Sequence, residues 1–325
     1  MTMMTHRLPA GLLACVLALC AMPAVAQDQP DPPPVHQALS DAWWTGPMLA
    51  NSAATLPRGH ALIETYGYDV HSDRADSLGS LTYMLYGVTD TLTVGVKPSF
   101  GFNVVKGAPD SSTVGFGDLT LQAQYRLTKF DAARGIPALA ISIQETLPTG
   151  RYDRLGARPA DGIGGGAWGT MIALYAQHYV WLPNGRILRA RLNISETFFC
   201  KAPVNNVSVY GTGEGFRGTA RPGRSFYLGG SLEYSVTKRW VLGLDATWTH
   251  DGATRVSGLG MPDPVTGISS PVRLAYGPSD AFALAPALEY SWTPNLGVLF
   301  AARFIPKGHN VTPSVTPAIA INAVF

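Results

Sequence analysis

Charge is scarce in this chain. Only 14% of its 325 residues are Asp, Glu, Lys or Arg, against roughly 25% in ordinary soluble proteins. Hydrophobic residues stand at an ordinary 46%, so glycine (35), proline (25), serine and threonine fill the space. There is no basic excess: the formal net charge is +2 with the signs scattered, which argues against a nucleic-acid partner. Beyond the N-terminus no apolar run approaches the ~18 residues of a transmembrane helix. Disorder is excluded too, since it requires few apolar residues or high net charge. What is left is β structure, with a membrane as one setting for it.

Residues 1–26 read as a signal peptide. Arg7 supplies the positive end, Leu8 to Met22 the apolar stretch, and Pro23-Ala24-Val25-Ala26 an A-x-A site, so cleavage is expected between Ala26 and Gln27. Cleavage removes Cys15 and Cys20 and leaves Cys200, which excludes an internal disulfide. Residues 27–57 form an irregular lead-in, opened by Asp31-Pro32-Pro33-Pro34 and expected in the periplasm. Trp43-Trp44 within it could plug a lumen or clasp the base of a barrel, and the sequence does not choose.

From residue 58 to 325 the pattern is regular. Apolar residues alternate with small or polar ones, a period of two that means strands with one greasy and one wet face. Leu92, Val94, Val96, Pro98, Phe100 and Phe102 oppose Thr93, Gly95, Lys97, Ser99 and Gly101. Leu242, Leu244, Ala246 and Trp248 likewise oppose Val241, Gly243, Asp245 and Thr247. Twelve such segments are predicted: about 59–70, 78–88, 91–104, 115–128, 137–148, 167–181, 186–199, 225–236, 239–251, 280–292, 296–306 and 312–325. Short turns alternate with long loops near 71–77, 105–114, 149–166, 200–224 and 252–279. This is the plan of an all-β transmembrane antiparallel meander barrel in the outer membrane of a Gram-negative cell, with lipid against its outer wall. Phe325 ends an amphipathic last strand, as in the assembly signal that the barrel assembly machinery reads.

Three features fit this plan badly. Leu62, Glu64 and Tyr66 share one face of the first segment; Glu145 falls on an otherwise apolar face, which suits only the outer rim; and Pro98, Pro286, Pro313 and Pro317 fall inside strands, where bulges could absorb them.

Several short motifs occur in a fixed order: Trp44-Thr45-Gly46-Pro47-Met48, Leu56-Pro57-Arg58-Gly59, Tyr86-Gly87-Val88-Thr89-Asp90, Gly115-Phe116-Gly117-Asp118-Leu119, and Leu147-Pro148-Thr149-Gly150-Arg151-Tyr152-Asp153. Together they resemble the bacterial outer-membrane family labelled "putative MetA-pathway of phenol degradation", over most of 44–325. The resemblance implies a meander barrel that passes small aromatic or hydrophobic compounds, and it brings no catalytic residues.

Enzyme chemistry finds little support. His178 and His250 have no serine at matching spacing, the histidines show no metal spacing, and Gly213-Glu214-Gly215-Phe216-Arg217-Gly218 lacks the strand-to-helix setting of a dinucleotide site. No catalytic, metal or cofactor residue is expected. The wet face is more informative. Its charges are Lys97, Asp118, Arg126, Arg189, Arg191, Glu233, Asp245, Glu289 and Arg303, five basic and four acidic, with Arg191 and Glu233 placed to pair. They could form a slightly basic constriction that selects solutes, or a salt-bridge network bracing a closed wall. Twelve strands give a backbone radius of roughly 12 Å, a narrow passage at most. Two functions follow: a passive channel, or a closed structural or surface-interaction barrel acting through its long outer loops.

Overall fold

The protein is described by a computed structural model covering residues 36–306 and 308–325. The expected signal peptide and the Pro-rich start of the lead-in lie outside these residues. A short 3-10 turn, Leu39–Asp41, precedes the strands β1 Ala61–Ser72, β2 Ala75–Thr89, β3 Leu92–Lys97, β4 Ser99–Val105, β5 Gly115–Phe116, β6 Leu119–Thr128, β7 Ala138–Leu147, β8 Gly169–Trp181 and β9 Ile187–Phe199. Then come β10 Ala202–Asn205, β11 Arg217–Arg221, β12 Ser225–Ser235, β13 Trp240–Asp251, β14 Thr254–Pro262, β15 Ser269–Tyr276, β16 Ser279–Thr293, β17 Leu296–Ile305 and β18 Ser314–Val324.

Fourteen of these segments make one antiparallel sheet that closes where β1 pairs with both β2 and β18. β3 and β4 are one wall strand divided at Pro98, since β2 pairs with each in turn. β5 and β6 are likewise one strand divided at Gly117-Asp118. The wall is therefore a closed barrel of twelve antiparallel strands, and closure leaves no edge to recruit another chain. The seam is tied at its end by Phe325, whose N–H donates to the Ala61 carbonyl (2.8 Å) and whose carbonyl accepts from the Ala61 N–H (3.1 Å).

Burial is inverted relative to a soluble protein. Ile63, Met84, Leu121, Ile143, Leu174, Leu192, Leu244, Leu284, Phe300 and Ile321 are exposed on the outside, while Gln122, Gln144, Asn193, Glu233 and Asp245 are buried within. Such a belt is stable only against hydrocarbon. Aromatic residues cluster at its margins: Trp240 lies 4.6 Å from Tyr290 near one end, and Phe226 5.7 Å from Trp248 near the other.

Both termini of the wall lie at the end with the turns 90–91, 129–137, 182–186, 236–239 and 294–295, the periplasmic end of such barrels. The opposite end carries the long connections, two of which are not plain loops. Residues within 200–224 and 252–279 form a second sheet, ordered β10-β11-β14-β15, around Val204, Phe216, Ala220 and Val256. The connection 148–168 folds inward, where Ile163 packs against Gly101 and Gly115. It is tethered through Asp161, whose carboxyl is held below the usual carboxylate range by the donating Ser112 N–H. This tether is at full strength above about pH 4 and weakens as acid protonates it.

Some expectations need correction. The connection at 71–77 is a tight hairpin, because β1 and β2 stay paired as far as His71 and Asp76. The prolines are not taken up by bulges: Pro98 splits its strand, Pro286 and Pro317 sit in the ladder opposite Leu244 and Ala302, and Pro313 precedes β18. Glu145, two residues from the outer end of β6's partner β7, accepts from the Thr170 hydroxyl (2.6 Å), which satisfies a carboxylate at the rim. Deleting Phe325 removes the last two hydrogen bonds of the seam and little of the wall. Purified protein is expected to lose its heat-dependent electrophoretic shift at a lower temperature, while unchanged heat resistance would assign closure to the rest of the β1–β18 ladder.

Candidate functional site: a lined and strapped lumen

The interior is organised by residues 45–56 of the lead-in, which lie inside the barrel and not in the periplasm. At the periplasmic mouth the Gln37 N–H donates to the Gly185 carbonyl (2.9 Å) and the Trp43 N–H to the Lys238 carbonyl (2.9 Å). Trp43 lies beneath Lys238 and Arg239, and Trp44 stacks on the Arg189 guanidinium at 4.2 Å. The two tryptophans therefore clasp the rim. What enters the barrel is the segment after them.

Residues 45–56 run round the inside of the wall as a strap. An extended segment that joins no sheet has backbone groups that need partners, and wall side chains supply them. Glu289 accepts from the Thr45 N–H (2.8 Å), the Thr45 hydroxyl (2.9 Å) and the Gly46 N–H (3.0 Å). Asp245 accepts from the N–H groups of Leu49 (3.0 Å) and Ala50 (3.3 Å). Arg191 donates to the Ala50 carbonyl (2.8 Å), and Asn193 pairs with Asn51 through both of its amide atoms. Gln177, Gln124 and Thr93 then bind Ser52, Ala54 and Leu56 as the strap descends along β8, β6 and β3. Two glycines make room for it: a Cβ on Gly297 would lie 2.0 Å from Thr45, and one on Gly87 2.1 Å from the Pro57 carbonyl oxygen.

Beneath the strap sits an ion cluster. Arg189 grips Glu233 with two N–H groups, and Arg191 Nε lies 3.0 Å from the same carboxylate. The expected pairing of Arg191 with Glu233 is present, with Arg189 as a second partner. Glu233, Asp245 and Glu289 are each 0% exposed, so three carboxylates face two guanidiniums. This is not a basic belt. Two of the five cations expected to form it, Arg189 and Arg191, are taken up by Glu233 and the strap.

The other expected charges do different things. Lys97 donates to Gln144 and lies 5.3 Å over the Tyr83 ring. Asp118 sits near the outer end and accepts from the Gly150 (2.9 Å) and Gly165 (2.7 Å) N–H groups, so it holds the inturned connection rather than lining a passage. Arg126 is half-buried toward the periplasmic end of β6. Arg303 faces a cavity.

The opposite half of the lumen was not anticipated. On β1, Leu62, Glu64, Tyr66 and Tyr68 point inward, and on β2 so do Leu81, Tyr83 and Leu85. Glu64 pairs across the seam with Asn322. The strap covers the polar half and leaves two cavities beside β1 and β2, the outer apolar and tyrosine-rich, the inner of mixed lining that includes Thr93, Gln124 and Arg191. The outer cavity, about 340 Å³, is bounded by Tyr66, Tyr68, Leu81, Tyr83, Arg303 and Thr316. The inner one, about 220 Å³, adds Glu64, Gln122 and Asn322. Met48, Leu49, Tyr66 and Tyr83 border both, with the Tyr66 and Tyr83 rings edge to face at 6.0 Å. They form the partition.

Among the described residues no three His, Cys, Asp or Glu side chains are grouped to hold a metal ion. His178 packs edge-on against Phe130, His250 lies 2.8 Å from Asp280, and Phe216 of the glycine-rich motif is core to the outer sheet.

A closed wall, a lipid-facing belt and a polar, partly filled lumen define an outer-membrane β-barrel. The chain belongs to the family described as "Putative MetA-pathway of phenol degradation", whose profile matches residues 46–261. No curated protein matches it. Its fold is similar to that of the COG4313 outer membrane channel from Pseudomonas putida F1, with a TM-score of 0.65 and 16% identity over 86% of this chain and 100% of that one. Looser likenesses are to the NanC porin (TM-score 0.43, 10% identity, 80% and 98% covered) and the CymD monoaromatic hydrocarbon channel (0.39, 12%, 83% and 89%).

Glu233→Gln leaves Arg189 and Arg191 buried without their counter-ion, and a loss of about 3–5 kcal/mol is expected, read as a lower unfolding temperature. Asp245→Asn with Glu289→Gln weakens the strap's charge-assisted hydrogen bonds, each worth about 1.5–3 kcal/mol. Hydrogen exchange at the Thr45, Gly46, Leu49 and Ala50 amides should then accelerate while the wall amides stay protected. Equal acceleration in the wall would show that the carboxylates support the barrel and not the strap.

Proposed function

We propose that the protein is a passive channel for small aromatic or hydrophobic compounds, which pass along the tyrosine-rich half of the lumen between the strap and strands β1 and β2. The observation that carries this reading is the pair of neighbouring cavities that share Met48, Leu49, Tyr66 and Tyr83 in their walls. A cavity of about 150 Å³ suffices for benzene, so each has the volume for one ring. The outer one is the apolar seat, while the inner is also lined by Glu64, Gln122, Gln124, Arg191 and Asn322. Apolar walls replace water at little cost to such a solute, and tyrosine rings offer edge and face contacts. Met48 is unbranched and adaptable, which suits a side chain that must yield as a ring passes. The family's association with phenol degradation points to the same solute class. No step of this reading requires catalysis.

The same reading includes insertion by the barrel assembly machinery through the Phe325-terminated strand, and the charged lumen residues act in it as holders of the strap rather than as an anion filter.

Planar-bilayer recording tests the proposal. Small conductance steps are expected from the wild type, lowered in a concentration-dependent way by phenol and not by glycerol. Deleting 45–54 should raise conductance severalfold, and Met48→Trp should reduce it. Silent bilayers for both the wild type and the deletion would favour the closed barrel acting through its outer sheet.

A further inference from the structure

Resting on the channel reading, we propose that the outer cavity is a recognition site for monoaromatic carboxylates, with Arg303 and Thr316 binding the carboxylate and the tyrosines of β1 and β2 enclosing the ring. Arg303 on β17 and Thr316 on β18 are direct register partners, so their side chains leave adjacent strands side by side and enter the same cavity. Each carries a buried polar atom without a hydrogen-bond partner, Arg303 Nε and Thr316 Oγ1, and Thr316 is only 2% exposed. A buried donor of this kind costs free energy until something satisfies it, and these two stand side by side in one cavity. Arg189 and Arg191, by contrast, are taken up by Glu233 and the strap. Among the described residues Arg303 has no carboxylate within ion-pair distance, so its charge is directed at whatever fills the cavity.

The remaining lining fixes the rest of the ligand. Met48, Leu49, Tyr66, Tyr68, Val70, Leu81 and Tyr83 are apolar or aromatic, and the cavity measures about 340 Å³. A small inorganic anion would satisfy Arg303 and leave these walls facing water. A bare hydrocarbon would fill them and leave the guanidinium unpaired. A ring bearing one carboxylate meets both demands, because the planar guanidinium matches a carboxylate fork and the hydroxyl of Thr316 adds a third donor. β17 runs outward and β18 inward, so Arg303 and Thr316 both lie in the outer half of the wall. An aromatic acid entering from outside would meet them before the partition at Met48 and Tyr83.

The test is calorimetric titration of the detergent-solubilised full-length barrel with benzoate, benzyl alcohol and acetate at neutral pH, with conductance recorded on the same preparations. Benzoate should bind about tenfold or more tightly than benzyl alcohol, and acetate should not bind measurably. Arg303→Gln should weaken benzoate roughly tenfold or more and leave benzyl alcohol within about twofold, and Thr316→Val should give a smaller loss in the same direction. Arg303→Lys keeps the charge without the fork and should retain part of the benzoate binding, which guards against reading a folding defect as a lost contact. Equal affinity for benzoate and benzyl alcohol, acetate binding as tight as benzoate, or unchanged benzoate binding by Arg303→Gln would each overturn the inference while leaving the channel reading to conductance. Silent bilayers combined with Arg303-dependent benzoate binding would remove the channel reading and keep the site.

Discussion

The structure depends on how twelve backbone residues without a sheet are kept inside a barrel. Residues 45–56 bring peptide N–H and carbonyl groups into an enclosed space, where each unpaired one is costly. Asp245 and Glu289 meet the N–H groups, and Arg191, Asn193 and Gln124 meet the carbonyls. Carboxylates so enclosed would themselves be costly without donors. Strap and wall therefore satisfy each other, and neither arrangement is sensible alone.

This mutual satisfaction divides the lumen. The strap hugs the strands that carry acids, arginines and amides, from β16 through β13, β9, β8 and β6 to β3. Strands β1 and β2 present tyrosines and leucines instead, and there the free volume remains. A lumen uniformly lined with charge would either have been covered all round or left open to water. The asymmetry in side-chain chemistry is what leaves free volume beside a polar seat.

Much of the wall was legible because membrane strands write their burial pattern in a period of two, and Leu92 to Phe102 or Leu242 to Thr249 can be sorted by eye. Arg191 and Glu233 could be paired for the same reason, since their strands are neighbours in the meander. The strap was not legible. Residues 45–56 have no period, and the Glu289 that receives them lies 244 positions beyond Thr45. The misfit of Leu62, Glu64 and Tyr66 was itself a signal: a face mixing apolar, acidic and phenolic groups suits neither lipid nor open water, and it lines the cavities. The outer sheet was hidden because its strands are short and carry Gly218, Gly258, Gly260 and Pro271, which read as loop. Asp118 and Arg303 look alike on a period-two pattern, yet one ties a connection and the other faces a void.

The path of the strap also bears on the order of construction. Residues 45–56 precede every wall strand, yet their strongest acceptors sit on β13 and β16, among the last to be made. The opening stretch has to wait through nearly the whole sequence before its carboxylate partners exist. Contacts of such separation carry a large loop-closure cost and form late. Neighbouring strands can pair as they appear, whereas docking of the earliest segment, like closure of the β1–β18 seam, has to await the latest strands.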